Sequence, residues 1–101
     1  MLSIVIPSYN GADLLAKNLP LLIAFLSQEK VDYEIIVVDD GSNDNGLTKE
    51  IALTHKCRFY RHEQNLSKGA AIRTGMRQAN GEYRLFRILK TIREMWEPRQ
   101  R

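Results

Sequence analysis

Two spacings of apolar residues alternate along the chain. Ser3-Ile4-Val5-Ile6 is a short β-branched run stopped by Pro7. Tyr33 to Val38 is a second such run, Arg58 to Arg61 a weaker third, and Glu82 to Phe86 a candidate fourth. The unbroken apolar stretch Ile35–Val38 suits a strand covered on both faces, as in a parallel sheet. Between these runs the period is helical. Asn10 is placed to cap a helix starting near Ala12, with Asp13 in its first turn. Leu15, Leu19, Leu22 and Leu26 then recur every three to four residues, and Pro20 predicts a kink or a restart. A shorter helix is expected over Leu47–Leu53. A third is expected over Ser67–Ala79, with Ile72, Met76 and Ala79 on one face and Gly81 as its C-terminal stop. Strand and helix alternating through four strands predict right-handed crossovers, hence an α/β fold with a Rossmann-like parallel sheet and flanking helices.

Composition narrows this only a little. The 101 residues are 44% apolar and 27% charged, which is ordinary for one globular domain and excludes a disulfide scaffold or wholesale disorder. The lone Cys57 reads as a small core hydrophobe in a reducing, cytoplasmic setting. The longest apolar run, Leu21–Leu26, is six residues, against about 20 for a membrane span. The N-terminus lacks the basic region of a signal peptide.

Charge changes the picture more. Of the fifteen basic groups, six lie in residues 84–101 with only two of the twelve acidic ones, so this tail carries +4 and the remainder −1. The basic character belongs to the tail, and no basic face interleaved with aromatics points to nucleic acid. Leu85, Ile88 or Leu89, Ile92, and Met95 or Trp96 recur there at helical spacing among arginines and Lys90. That is a basic amphipathic helix, suited either to packing over apolar sheet surface or to an anionic membrane face.

Ligands of open parallel sheets bind beyond the carboxyl ends of the strands, and three polar clusters fall there. Pro7-Ser8-Tyr9-Asn10-Gly11 follows the first strand, Asp39 to Asp44 the second, and Asn65 to Ala71 the third, running into the start of the third helix. Each suits part of a nucleotide. Tyr9 can stack on a base, and Asp40 can accept from a base N–H or a ribose hydroxyl. Lys68 at a helix start can face phosphate, with Arg73 further along. Each also has a plainer reading: a packed Tyr, turn chemistry in Ser42-Asn43-Asp44, a solvated Lys. No P-loop and no G-x-G-x-x-G is present. His55 and His62 lie near Cys57 without metal-site spacing and read as ordinary surface or core histidines.

Taken in order, Ser3-Ile4-Val5-Ile6-Pro7-Ser8-Tyr9-Asn10, Tyr33 to Ser42, Asn65-x-x-Lys68-Gly69-Ala70-Ala71-Ile72-Arg73-Thr74-Gly75 and Ala79-Asn80-Gly81-Glu82-Tyr83 resemble family 2 glycosyltransferases. The likeness is to the dolichyl- and polyprenyl-phosphate branch, and it covers residues 2–86. It implies a GT-A fold and transfer of a sugar from a UDP- or GDP-sugar to an acceptor, a polyprenyl phosphate among the candidates. Carried over, Pro7, Tyr9 and Asn10 border the base, Asp40 holds base or ribose with Asp39 beside it, and Lys68 and Arg73 lie toward the phosphates. The family often has Gly where Ser67 stands.

The resemblance also implies Mg or Mn on the diphosphate, held by an Asp-x-Asp after the fourth strand. Arg87-Ile88-Leu89-Lys90 stand there instead, and carboxylates are what a hard cation needs. The expected organisation is therefore a nucleotide-sugar-binding part over 1–86 and a departing basic tail over 87–101, in a chain truncated or altered near residue 86. Its catalytic residues are unassigned, its turnover is expected to be negligible, and its bare apolar surface favours self-association. Peripheral attachment at the inner membrane face fits the tail. The competing reading is a non-catalytic nucleotide-binding or interaction module whose basic helix engages a membrane or a partner.

Overall fold

A computed structural model describes residues 1–89. Its elements are β1 (Leu2–Ser8), α1 (Ala12–Gln28), β2 (Tyr33–Asp39), α2 (Leu47–Thr54), β3 (Arg58–Arg61), α3 (Lys68–Gln78) and β4 (Tyr83–Phe86). All pairings are parallel and the strand order is β3-β2-β1-β4. The expected doubly covered sheet is present, and the physical reason is the two-residue alternation of side chains. Ile4, Ile6, Ile35 and Val37 face one layer, where they meet Leu15, Leu19, Leu26, Ala52 and Cys57 from α1, α2 and the start of β3. Val5, Ile36 and Val38 face the other, against Ala71, Ala79 and Met76 of the α3 layer. Full burial of such side chains contributes about 1.5–3 kcal/mol each. Cys57 is one of these core residues, and burial pushes its thiol up to about 11.

Topology follows from handedness. From β1 the chain steps to β2 and β3 on one side, then returns across to β4 on the other. Right-handed crossovers in opposite directions put α1 and α2 on one face and α3 on the other. The order therefore reverses between β1 and β4. α3 lies close on β1: a Cβ added at Gly75 would sit 2.3 Å from a Val5 methyl carbon.

Three local expectations are corrected. α1 is continuous through Pro20 and does not restart. Pro20 and Ala16, the residue whose carbonyl loses its partner, both lie on the exposed face, where water can take the bond. Asn10 does not cap α1; Gly11 occupies the cap with no side-chain bond, and Asn10 Oδ1 accepts from the Asn43 amide at 3.0 Å. Gly81 does not end α3. The helix stops at Ala79 in extended backbone, and Gly81 is needed one turn later because a Cβ there would meet the Met1 carbonyl and Ser3 Oγ at 2.6 Å.

The amino ends of the strands are fastened by polar bonds. Glu34 accepts from Ser3 Oγ at 2.6 Å, from the Asn80 amide at 2.6 Å and from Arg58 Nη1 at 2.9 Å. The Gly81 amide donates to Ser3 Oγ at 2.8 Å. At the other edge β4 is exposed along its whole length. The expected basic tail lies outside the described residues from Lys90 onward. Among the described residues no helix is long and apolar enough to cross a membrane.

Candidate functional site

The carboxyl ends of β1 and β2 are tied together before any ligand is considered. The Asp40 amide donates to the Ser8 carbonyl at 2.8 Å, extending the β1–β2 ladder by one step. The Asn10 amide donates to Ser42 Oγ at 2.7 Å. Asp39 accepts from the Ser42 amide at 3.0 Å and faces Arg61 Nε at 3.6 Å. Asn10 thus holds the first two loops against each other, and Asp39 braces the second loop on itself and against Arg61. Gly41 has φ +86°, and a Cβ on it would lie 2.7 Å from the backbone of Gln64 and Asn65. Only Gly lets the third loop approach that closely.

That approach delivers the third loop to Asp40, which is only 3% exposed. Its Oδ1 accepts from His62 Nδ1 at 2.7 Å and from the Leu66 amide at 3.0 Å, and its Oδ2 accepts from the Ser67 amide at 2.9 Å. Burial works against the charge, but the bonds from His62 and the two amides outweigh it and hold the carboxyl below the usual range. Because the Asp40 carboxylate can only accept, His62 Nδ1 donates to it. The ring's Nε2 is hydrogen-bonded to Thr74 Oγ1 at 2.8 Å. Ser67 caps α3 by accepting from the Ala70 amide at 3.0 Å. It does so at φ 144° and ψ 160°, a region almost reserved for Gly.

The result is a cleft of about 210 Å³ lined by Pro7, Ser8 and Tyr9 from the first loop, Asp40 from the second, and Asn65, Ser67, Lys68 and Ala71 from the third. Tyr9 is half exposed and Lys68 opens α3, where the helix end itself favours anions. Four of the residues singled out in the sequence, Pro7, Tyr9, Asp40 and Lys68, therefore share one cleft. Asn10, which ties the first loop to the second, and Asp39, which braces the second loop, are not among its lining residues. Arg73 is exposed one turn along α3, beside Gly69. Sequence position marks neither His62 nor Thr74 as a site residue, because His62 lies 22 residues from Asp40 and nothing local signals the pairing. A larger groove of about 550 Å³ lies elsewhere, between α1 and the segment after β4, lined mainly by Leu21, Leu22, Phe25, Ile88 and Leu89. Its polar lining is limited to Asn18 and Arg87, with no carboxylate, so chemistry and not volume selects the smaller cleft.

The described residues hold no group of three His, Cys, Asp or Glu suited to a metal ion. The cation that the resemblance implies does not fit them.

The glycosyl transferase family 2 model matches residues 3–86. A dolichyl-phosphate beta-glucosyltransferase of Drosophila melanogaster is 37% identical over 97 residues, covering 84% of this chain and 29% of that protein. Among solved structures, S. aureus TarS 1-349 in complex with UDP superposes with a TM-score of 0.70 at 28% identity, over 87% of this chain and 27% of that one. A mannosyltransferase from Pyrobaculum calidifontis in complex with GDP-Man and Mn2+ gives a TM-score of 0.66 at 26% identity, over 80% and 25%. The chain thus spans less than a third of the length of each of these relatives.

Proposed function

The chain belongs to glycosyl transferase family 2, and from that premise we propose that the cleft between Tyr9, Asp40 and Lys68 receives the nucleotide of a UDP- or GDP-sugar. The observation that carries this reading is the meeting of three separate loops at one lip of the sheet, each bringing a different chemistry. Tyr9 offers a half-exposed aromatic face for a base. Asp40 offers an ionised, oriented acceptor. Lys68 offers a charge for phosphate at a helix start, and Arg73 extends that positive side. The reaction served is sugar transfer to an acceptor, with a polyprenyl phosphate fitting the likeness to the dolichyl-phosphate enzymes.

This span supplies binding. The described residues place no cation cluster, so the 101-residue chain is expected to bind nucleotide and to release little or none from a sugar donor. NMR titration with UDP and GDP tests the reading. Shifts should concentrate at Tyr9, Asp40 and Lys68, and Lys68→Ala should weaken binding by about tenfold, the scale of one hydrogen bond to a charged group. Shifts scattered over the α1 groove, or a Lys68→Ala chain that binds as well as the parent, would overturn it. Metal-dependent release of UDP or GDP from a sugar donor by this chain would overturn the expectation of binding without turnover.

A further inference from the structure

We infer that His62 is a positioning residue that sets the base preference of the cleft, restricting it to bases with a single N–H donor between two acceptors, uracil or thymine. The inference rests on the nucleotide reading above and goes further, since the related structures include both a UDP and a GDP-sugar complex. It comes from counting what Asp40 has left to give. A carboxylate offers about four acceptor positions, two on each oxygen. Oδ1 spends both, on His62 Nδ1 at 2.7 Å and the Leu66 amide at 3.0 Å. Oδ2 spends one on the Ser67 amide at 2.9 Å. Among the described residues this leaves one acceptor position, on Oδ2, in a side chain that lines the cleft.

A single acceptor matches the N3–H of uracil or thymine. Guanine presents two adjacent donors, N1–H and the exocyclic amine, and needs both oxygens of one carboxylate to satisfy them. One guanine donor would be buried unpaired, weakening binding by about tenfold or more. Cytosine has a bare N3 that would face the carboxylate lone pair to lone pair. His62 is what closes Oδ1. Its ring is mostly buried, its own amide donates to the Asp39 carbonyl at 2.9 Å, and Thr74 Oγ1 holds Nε2 at 2.8 Å. Both ring nitrogens and the backbone amide are engaged, which holds the imidazole against Oδ1.

The test is a titration of the 101-residue chain with UDP, dTDP, CDP, GDP and N3-methyl-UDP. UDP and dTDP should bind within a few-fold of each other, and the other three more weakly by about tenfold, the scale of one unpaired polar group. His62→Ala should free Oδ1 and narrow the UDP-to-GDP gap, whereas a merely structural role would weaken both nucleotides equally. His62→Asn, which keeps a donor near the Nδ1 position, should restore the gap. The base series on the parent chain decides the matter even if His62→Ala does not fold. GDP or N3-methyl-UDP binding as tightly as UDP would overturn the base preference and leave the nucleotide cleft standing. An unchanged gap in His62→Ala would overturn the role of His62. Failure of every nucleotide to bind would remove the cleft reading and this inference with it.

Discussion

Ser67 condenses the residue-scale logic of the site. Its amide faces Asp40 Oδ2 and its hydroxyl caps α3. Both bonds are made from a backbone conformation, φ 144° and ψ 160°, that costs a non-glycine residue about 1–3 kcal/mol. Ser67→Gly would keep the amide and relieve the strain. It would forfeit a few tenths of a kcal/mol of capping and somewhat more from the freer unfolded chain. The expected outcome is a net gain of about 1 kcal/mol, read as a rise of about 4–8 °C in the thermal midpoint. A fall in Tm would show that the cap outweighs the strain. Asn10 and Asp39 teach the complementary lesson. Their polarity and position in the sequence suggest ligand contacts, yet their side chains are engaged by the Asn43 and Ser42 amides. Sequence identifies a residue able to hydrogen-bond and cannot say which partner takes the bond.

At the scale of elements, the α3–β1 contact is the tightest geometric constraint. Ala71, Gly75 and Ala79 give α3 a narrow edge against Val5, Ile36 and Val38. α3 also presents Lys68 and Thr74, so its depth fixes both the Lys68 side of the cleft and the His62 bond. Gly75→Ala would drive a methyl group to 2.3 Å from a Val5 methyl carbon. It is expected to destabilise the chain by about 1–3 kcal/mol and to weaken nucleotide binding along with it. Calorimetry and the UDP titration together check this; an unchanged melting point would mean that α3 can shift outward freely. The elements themselves were legible from periodicity, to within a residue or two at most ends. Pro20 misleads because a proline on the solvent side of a long, well-packed helix gives up a bond that water replaces.

For the molecule as a whole, stability and site are joined through two carboxylates, Asp40 buried and Glu34 partly buried. Asp40 fastens the third loop to β2, and Glu34 fastens the α3–β4 turn to the amino ends of β1 and β3. For Glu34, as for Asp40, burial opposes the charge and hydrogen bonds outweigh it, from Ser3, Asn80 and Arg58, so both carboxyls sit below their ordinary values. A lowered folded-state value means that the unfolded chain binds protons first as pH drops. The stabilisation is complete above the ordinary carboxylate range, about 3.9–4.3, and is lost as pH falls through the folded values. Thermal midpoints should therefore decline as pH falls into and below the ordinary carboxylate range. Asp40→Asn should have a lower midpoint at neutral pH and a shallower decline on acidification. An equally steep decline would assign the acid sensitivity to Glu34 and the other carboxyls.

The residue order alone determined the strand and helix periods, the doubly buried β2, the break in charge after the fourth strand and the three polar clusters beyond the strand ends. These are local properties, set by side-chain spacing and turn chemistry over a few residues. Tertiary structure decided which polar groups face the cleft and which only tie loops together, and it joined Asp40, His62 and Thr74 from three separate segments. Those outcomes depend on how far one loop can approach another over Gly41 and how deeply α3 seats on Val5. Such distances are settled by close packing between segments far apart in the chain, and no spacing along a single segment encodes them.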